Sequence, residues 1–124
     1  FTNLTYPPTG VNSVLDTSTG YLDFSQLSLG DQLVVRNDFT VTPDTNNALL
    51  QARYVLGGGA SQYNLQFLQQ RLDNGSGVPY QFVLPFGIYM GDNNTLNNPG
   101  RLQFYLSTGG TFSNAGSYID IRPR

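Results

Sequence analysis

Apolar and polar residues alternate through 31–56 of this chain, DQLVVRNDFTVTPDTNNALLQARYVL, with a turn built from Pro43, Asp44, Thr45, Asn46 and Asn47 in the middle. Leu33, Val35, Phe39 and Val41 share one side of the first segment, and Arg36, Asp38, Thr40 and Thr42 share the other. In the second segment Leu50, Ala52, Tyr54 and Leu56 are the apolar side, with Gln51 and Arg53 opposite. A period of two over this length predicts β-strands buried on one face.

The same pattern continues in both directions. A short strand is expected over 21–29, ending in a turn at Gly30-Asp31. Gly57, Gly58 and Gly59 break the pattern, and a flexible inter-strand loop is expected there. The segments 62–73 and 78–90 flank Asn74-Gly75-Ser76-Gly77, a turn sequence that predicts a hairpin. Parity puts Leu65 and Phe67 on the same side as Phe82, Leu84 and Phe86, with Ile88 and Met90 continuing that side. Pro85 marks its point as an edge or a bulge. A polar, exposed loop over 91–100 precedes a strand at 101–107 with Leu102, Phe104 and Leu106 inward. A glycine-rich connection over 108–116 leads to a last strand at 117–122 with Ile119 and Ile121 inward. Glutamines interrupt every helical stripe through 62–72. The expected fold is all-β: an antiparallel two-sheet sandwich of about seven to nine strands, a jelly roll without significant helix. In a jelly roll the two segments of 31–56 belong to opposite sheets, which is the arrangement expected here. A local hairpin would instead allow Asp38 to face Arg53.

Residues 1–20 lack a sustained period and contain Pro7, Pro8, Gly10 and Gly20. They read as an extended N-terminal arm anchored by Phe1, Leu4, Tyr6, Val11 and Leu15, before a sandwich domain over 21–124. Such an arm either packs back on its own domain or uses Phe1, Leu4 and Tyr6 to clasp a neighbouring subunit. A chain that opens on Phe1 is expected to be the ordered part of something longer.

Composition narrows the chemistry. At 124 residues the chain has the length of one domain, and only 11% of it is charged, against about a quarter in an average domain. Asn, Gln, Ser, Thr and Gly take the place of charge. Cys, His, Lys and Glu are all missing, so the six cations are Arg and the eight anions are Asp. Thiolate chemistry, imidazole acid–base chemistry and the commonest metal ligands are thereby excluded. A net charge of −2 with scattered arginines argues against a nucleic-acid partner. No apolar run approaches the ~20 residues that span a bilayer, so no membrane partner is expected.

Catalysis would have to rest on paired aspartates. Asp16, Asp23, Asp31, Asp38, Asp44, Asp73, Asp92 and Asp120 lie mostly beside turns, where Asp commonly bonds the backbone, and no enzymatic activity is expected. The segments 16–20 and 92–94 are the nearest approach to calcium loops but lack repeated carboxylates, and Gly57–59 lacks the Lys and helix of a phosphate loop. No cofactor or metal is expected. Sequons at Asn3, Asn74 and Asn93 are no more than this Asn-rich composition gives by chance. Tyr89 and Tyr105 lie on the parity opposite to their strands' core residues and should point outward. They read as a subunit interface, a shallow ligand platform, or side chains lying across a monomer's surface.

With the strands placed, LDFSQLSLGDQLVVRNDFTVTPDTNN, LPFGIYM and SNAGSYIDIRP resemble the small jelly-roll structural proteins of tailed bacteriophages. The likeness covers most of 21–122 and rests on strand phrases such as Ser28-Leu29-Gly30-Asp31 and Val35-Arg36; the arm over 1–20 has no counterpart in it. The resemblance implies a sandwich of the tumour-necrosis-factor or viral-capsid type, commonly trimeric, with no active-site motif. It implies a capsid decoration (cement) protein on the outer head surface of the virion, with itself and the major capsid protein or another virion structural protein as partners. Its other implication is a receptor- or glycan-binding module at the tip of a head or tail fibre.

Overall fold

The computed structural model describes residues 14–16 and 18–124. Six strands form among the described residues: β1 (Gln32–Pro43), β2 (Ala48–Leu56), β3 (Tyr63–Leu72), β4 (Tyr80–Tyr89), β5 (Arg101–Leu106) and β6 (Gly110–Arg122). The only helical pieces among the described residues are a 3-10 turn at Gly59–Ser61 and a single α-helical turn, α1, at Asn93–Leu96. All strand pairing is antiparallel, in two three-stranded sheets ordered β4-β1-β6 and β3-β2-β5. The chain is all-β, and its two sheets stack face to face as a sandwich.

β1 and β2 belong to opposite sheets, the arrangement expected for 31–56 in place of a local hairpin, and each is the central strand of its sheet. Each buries its apolar side: Leu33, Val35, Phe39 and Val41 from β1, and Leu50, Ala52, Tyr54 and Leu56 from β2. Ring contacts fix how the sheets superpose. Phe67 of β3 meets Phe86 of β4 at 5.3 Å between centroids, and Phe104 of β5 meets Phe112 of β6 at 4.3 Å. β3 therefore lies over β4, β2 over β1, and β5 over β6. Two aromatic clusters fill the interior, Tyr54–Phe67–Phe86 at one edge and Phe39–Phe82–Phe104–Phe112 around the other.

Between the clusters runs one polar link. The Asn37 side chain donates to the Tyr54 hydroxyl at 2.8 Å across the two sheets, and its carbonyl oxygen accepts from the Ser117 hydroxyl at 2.7 Å. Asn37 and Tyr54 are both buried, so each polar group must find its partner inside the protein. Burial pushes the Tyr54 phenol up to about 12, with the bond from Asn37 pulling weakly the other way.

Four expectations are corrected. The segments 62–73 and 78–90 form no hairpin: β3 pairs with β2 and β4 with β1. Parity identified their inward faces, but facing residues can be neighbours in one sheet or opposed across two, and the loop over 73–79 is long enough to cross the ~10 Å between sheets. That loop runs beside the β1–β2 turn, with Gly75 N bonded to Asn46 Oδ1 at 3.0 Å and Gly77 N to the Pro43 carbonyl at 2.8 Å. Pro85 does sit in an edge strand, β4, where a missing N–H is tolerated.

The strand expected over 21–29 reduces to isolated bridges, Leu15 with Leu22 and Leu22 with Gly100. Its alternation lasts too few residues. Leu22 and Phe24 point inward, then a turn closed by Leu27 N to the Phe24 carbonyl at 2.9 Å brings Leu27 in as well. Val14 is buried in the same cluster, so this end of the N-terminal segment packs on its own domain, while Phe1, Leu4, Tyr6 and Val11 lie outside the described residues. The described residues thus hold six of the seven to nine strands expected.

The connection expected over 108–116 is mostly strand. β6 begins at Gly110 and follows β1 along its whole length, with an extra residue, Ala115, taken up where Asp38 faces Gly116 and Phe39 faces Asn114. Gly116 has a φ of 151° and Gly110 lies where a Cβ would come 2.6 Å from the Thr42 carbonyl. These glycines serve a β-bulge and a close strand approach.

The glycine run at 57–59 is packed and not a loose loop. Asn94 Oδ1 accepts from Gly58 N at 3.1 Å and Asn94 Nδ2 donates to the Ser61 carbonyl at 2.8 Å, which stitches the run to the 91–100 loop. That loop is itself held by Asp92, which caps α1 through the Thr95 N–H at 2.8 Å, and by the buried Thr95 hydroxyl against Tyr63. The bonds to Thr95 hold the Asp92 carboxyl below its usual range.

Three outcomes test the Tyr54 link and the Gly57 turn. Below pH 10 both folded and unfolded chains keep the Tyr54 proton; between 10 and about 12 only the unfolded chain releases it, and stability falls. Denaturant titrations should show a loss of roughly 2–3 kcal/mol over that window. Tyr54→Phe should abolish that loss while costing about 1–3 kcal/mol at neutral pH, because Asn37 then has a buried donor with no acceptor. Gly57→Ala should also destabilise, by roughly 1–3 kcal/mol, from the left-handed backbone and the collision with the Ser61 carbonyl. At Gly57 φ is +76° and a Cβ would lie 2.8 Å from that oxygen.

Candidate functional site

Because the interior is filled, functional chemistry is confined to the outer faces, the edges and the loops. The outer face of β4-β1-β6 follows from strand parity and register. Tyr118, Arg36 and Pro85 lie in one cross-strand row, Asp120, Val34 and Gly87 in the next, and Arg122, Gln32 and Tyr89 in the third. Val83 lies opposite Asp38 on the other side of the first row. Val83, Tyr89 and Tyr118 are 59%, 61% and 58% exposed, so large apolar and aromatic side chains stand out on both edge strands of this face. Its charges are self-paired: Arg36 with Asp38 and Arg122 with Asp120, both at 3.2 Å. Such exposed pairs contribute about 0–1 kcal/mol and chiefly cancel charge on the face.

The outer face of β3-β2-β5 is different in kind. Its rows are Gln69–Gln51–Tyr105 and Gln66–Arg53–Gln103. Gln69 Oε1 accepts from Gln51 Nε2 at 3.2 Å and from Gln66 Nε2 at 3.1 Å, and Arg53 Nε donates to Gln103 Oε1 at 3.0 Å. Gln51, Arg53, Gln66, Gln103 and Tyr105, with Ala52 and Phe104, line a shallow concavity of about 470 Å³, and Gln69 braces two of its glutamines.

Tyr89 and Tyr105 both point outward, as parity requires. They do not share a surface: Tyr89 is on edge strand β4, Tyr105 on edge strand β5 of the other sheet, and β4 and β5 lie at opposite edges of the sandwich. A single platform built from both is therefore not formed. The N-terminal candidates Phe1, Leu4 and Tyr6 lie outside the described residues. Tyr118 and Val83 were not singled out in the sequence, although the same parity rule places them outward from Ile119 and Phe82. Phe112 was hidden in the segment read as a connection; it stacks on Phe39 at 5.1 Å yet is 46% exposed at the open β6 edge.

Most of the aspartates are engaged in structural bonds. Asp16 bonds Ser18, Asp23 bonds Ser25, Asp92 caps α1, and Asp31 accepts from the Ser28 and Arg124 backbone N–H groups at 2.8 and 2.9 Å. The hydroxyl and N–H of Ser18 hold the Asp16 carboxyl below its usual range. Among the described residues no three carboxylates converge on one point. The residues 92–94 named above as a possible calcium segment instead spend their side chains on the helix cap and the glycine run.

Comparison of the chain with family models, with curated protein sequences and with solved structures finds no match.

Proposed function

We propose that this chain works by contact and not by turnover, as a structural protein of a tailed-bacteriophage virion. In this reading it is a capsid decoration protein of the jelly-roll type. It binds the outer head surface, bridges major capsid protein subunits and assembles as a homotrimer. The bridges made by Leu15, Leu22 and Gly100 are then the remnant of a further strand beside β5. The observation that carries the reading is the outer face of β4-β1-β6. Exposed Val83, Tyr89 and Tyr118 there surround ion pairs that leave no net charge on the strands' outward rows. Aromatic residues with few uncompensated charges characterise the centre of protein–protein contacts. A flat, twisted three-stranded face also offers other copies of the chain a preformed surface without loop ordering. The virion context rests on the resemblance of the chain's strand phrases to phage jelly-roll proteins.

Light scattering coupled to size-exclusion chromatography tests the assembly. The expected mass is about 41 kDa, three times the 13.6 kDa of the chain. Val83→Arg or Tyr118→Arg should lower it to that of one chain while leaving thermal stability within about 1 kcal/mol, since both side chains are on the surface. Co-sedimentation with phage heads stripped of their decoration protein tests the partner, with binding expected for the native chain. A native chain that stays monomeric at every concentration and sediments with no head would refute the proposal.

A further inference from the structure

The face of β3-β2-β5 carries a charge opposite to that of the chain. The whole sequence has a net charge of −2, yet β2, β3 and β5 contain no carboxylate and contribute one arginine each, Arg53, Arg71 and Arg101. Arg53 is central. Its Nε–H bond to Gln103 fixes the plane of the guanidinium, and its two terminal nitrogens have no partner among the described residues. The neighbouring amides are held in a defined donor and acceptor pattern. Because Gln69 Oε1 receives both Gln51 and Gln66, those two side chains keep their carbonyl oxygens free, while Gln103 keeps its amide N–H groups free. Tyr105 lines the same concavity and is 54% exposed.

We propose that this concavity is a binding site for a glycan carrying a carboxylate, a uronic or sialic acid. The forked pair of free guanidinium nitrogens matches a carboxylate in plane and spacing. Sugar hydroxyls both donate and accept, and so use the free carbonyl oxygens of Gln51 and Gln66 together with the free amide of Gln103. The Tyr105 ring offers a flat apolar surface to the C–H face of the pyranose. A neutral sugar would leave the guanidinium without its counter-charge. A nucleic acid would need a denser row of cations than three arginines spread over three strands. Tyr89, on the other sheet, has no part in this site. The inference is independent of the assembly proposed above, which uses the opposite face.

The test is titration of the full chain, followed by NMR shifts and calorimetry, with 3′-sialyllactose and tri-galacturonic acid. Lactose and sodium acetate serve as the neutral sugar and the bare carboxylate. At least one acidic glycan should bind saturably, about tenfold or more tightly than lactose and acetate. Shift changes should centre on Gln51, Arg53, Gln103 and Tyr105. Arg53→Gln and Tyr105→Ala should each weaken binding about tenfold or more with the melting temperature unchanged, and Tyr89→Ala should leave it intact. The proposal is overturned if neither acidic glycan binds below about 10 mM, if lactose or acetate binds as well, or if shifts in the native chain map elsewhere. Unaltered binding by folded Arg53→Gln would overturn it equally. The oligomer mass decides the assembly separately, so failure of one reading is distinguishable from failure of the other.

Discussion

The structure depends on how its two three-stranded sheets are locked across a mostly apolar interior. The lock has a polar pin and two aromatic flanks. The pin is the bond from Asn37 on the central strand of one sheet to Tyr54 on the central strand of the other, extended to Ser117 on β6. A buried amide and a buried phenol are costly when unpaired, so a slip of either sheet that broke this pair would be penalised on both sides. On either side the Tyr54 and Phe39 ring clusters fill the gap with tilted and offset contacts at 4.3 to 5.3 Å. Hydrophobic burial supplies the attraction, and the hydrogen-bonded pair helps to specify the alignment.

That lock leaves the outward side chains free to diverge. In a β-strand every second residue is excluded from the core, and here the two excluded sets have different chemistry. The β4-β1-β6 set combines exposed Val83, Tyr89 and Tyr118 with self-cancelling charges, suited to a protein surface. The β3-β2-β5 set is amide-rich and cationic, suited to a hydroxylated anion. Two unlike faces on one rigid support allow one to be covered in an assembly while the other stays open. The loops at the ends are also tied down. The 91–100 loop is fastened to the glycine run and to β3 through Asn94, Asp92 and Thr95.

Much of the fold was legible because period-two alternation reports burial directly. The inward residues of β1, β2, β4 and β5 follow from it, as does the outward direction of Tyr89 and Tyr105. What alternation does not report is which strands are hydrogen-bonded neighbours. Phe67 was correctly set on the side of Phe86, but the two meet across the interior and not along a ladder. Local turn chemistry at Asn74-Gly75 suggested a hairpin, and tertiary pairing of β3 with β2 and β4 with β1 overrode it. Glycines misled in both places where they were read as slack. Gly110 and Gly116 lie inside β6, and Gly57 makes room for Asn94. The polar concavity was invisible in sequence because Gln51, Gln66 and Gln103 come from three strands whose adjacency is a matter of topology.

The central claim is that the apolar outer face of β4-β1-β6 is buried in the working assembly while the face of β3-β2-β5 remains open. Hydroxyl-radical footprinting read by mass spectrometry measures this directly, comparing the native chain with its Val83→Arg form. Tyr118 and Tyr89 should be labelled several-fold less in the native chain, with Tyr105 labelled equally in both. Equal labelling of Tyr118 and Tyr89 in the two forms, or protection of Tyr105 in their place, would contradict the account.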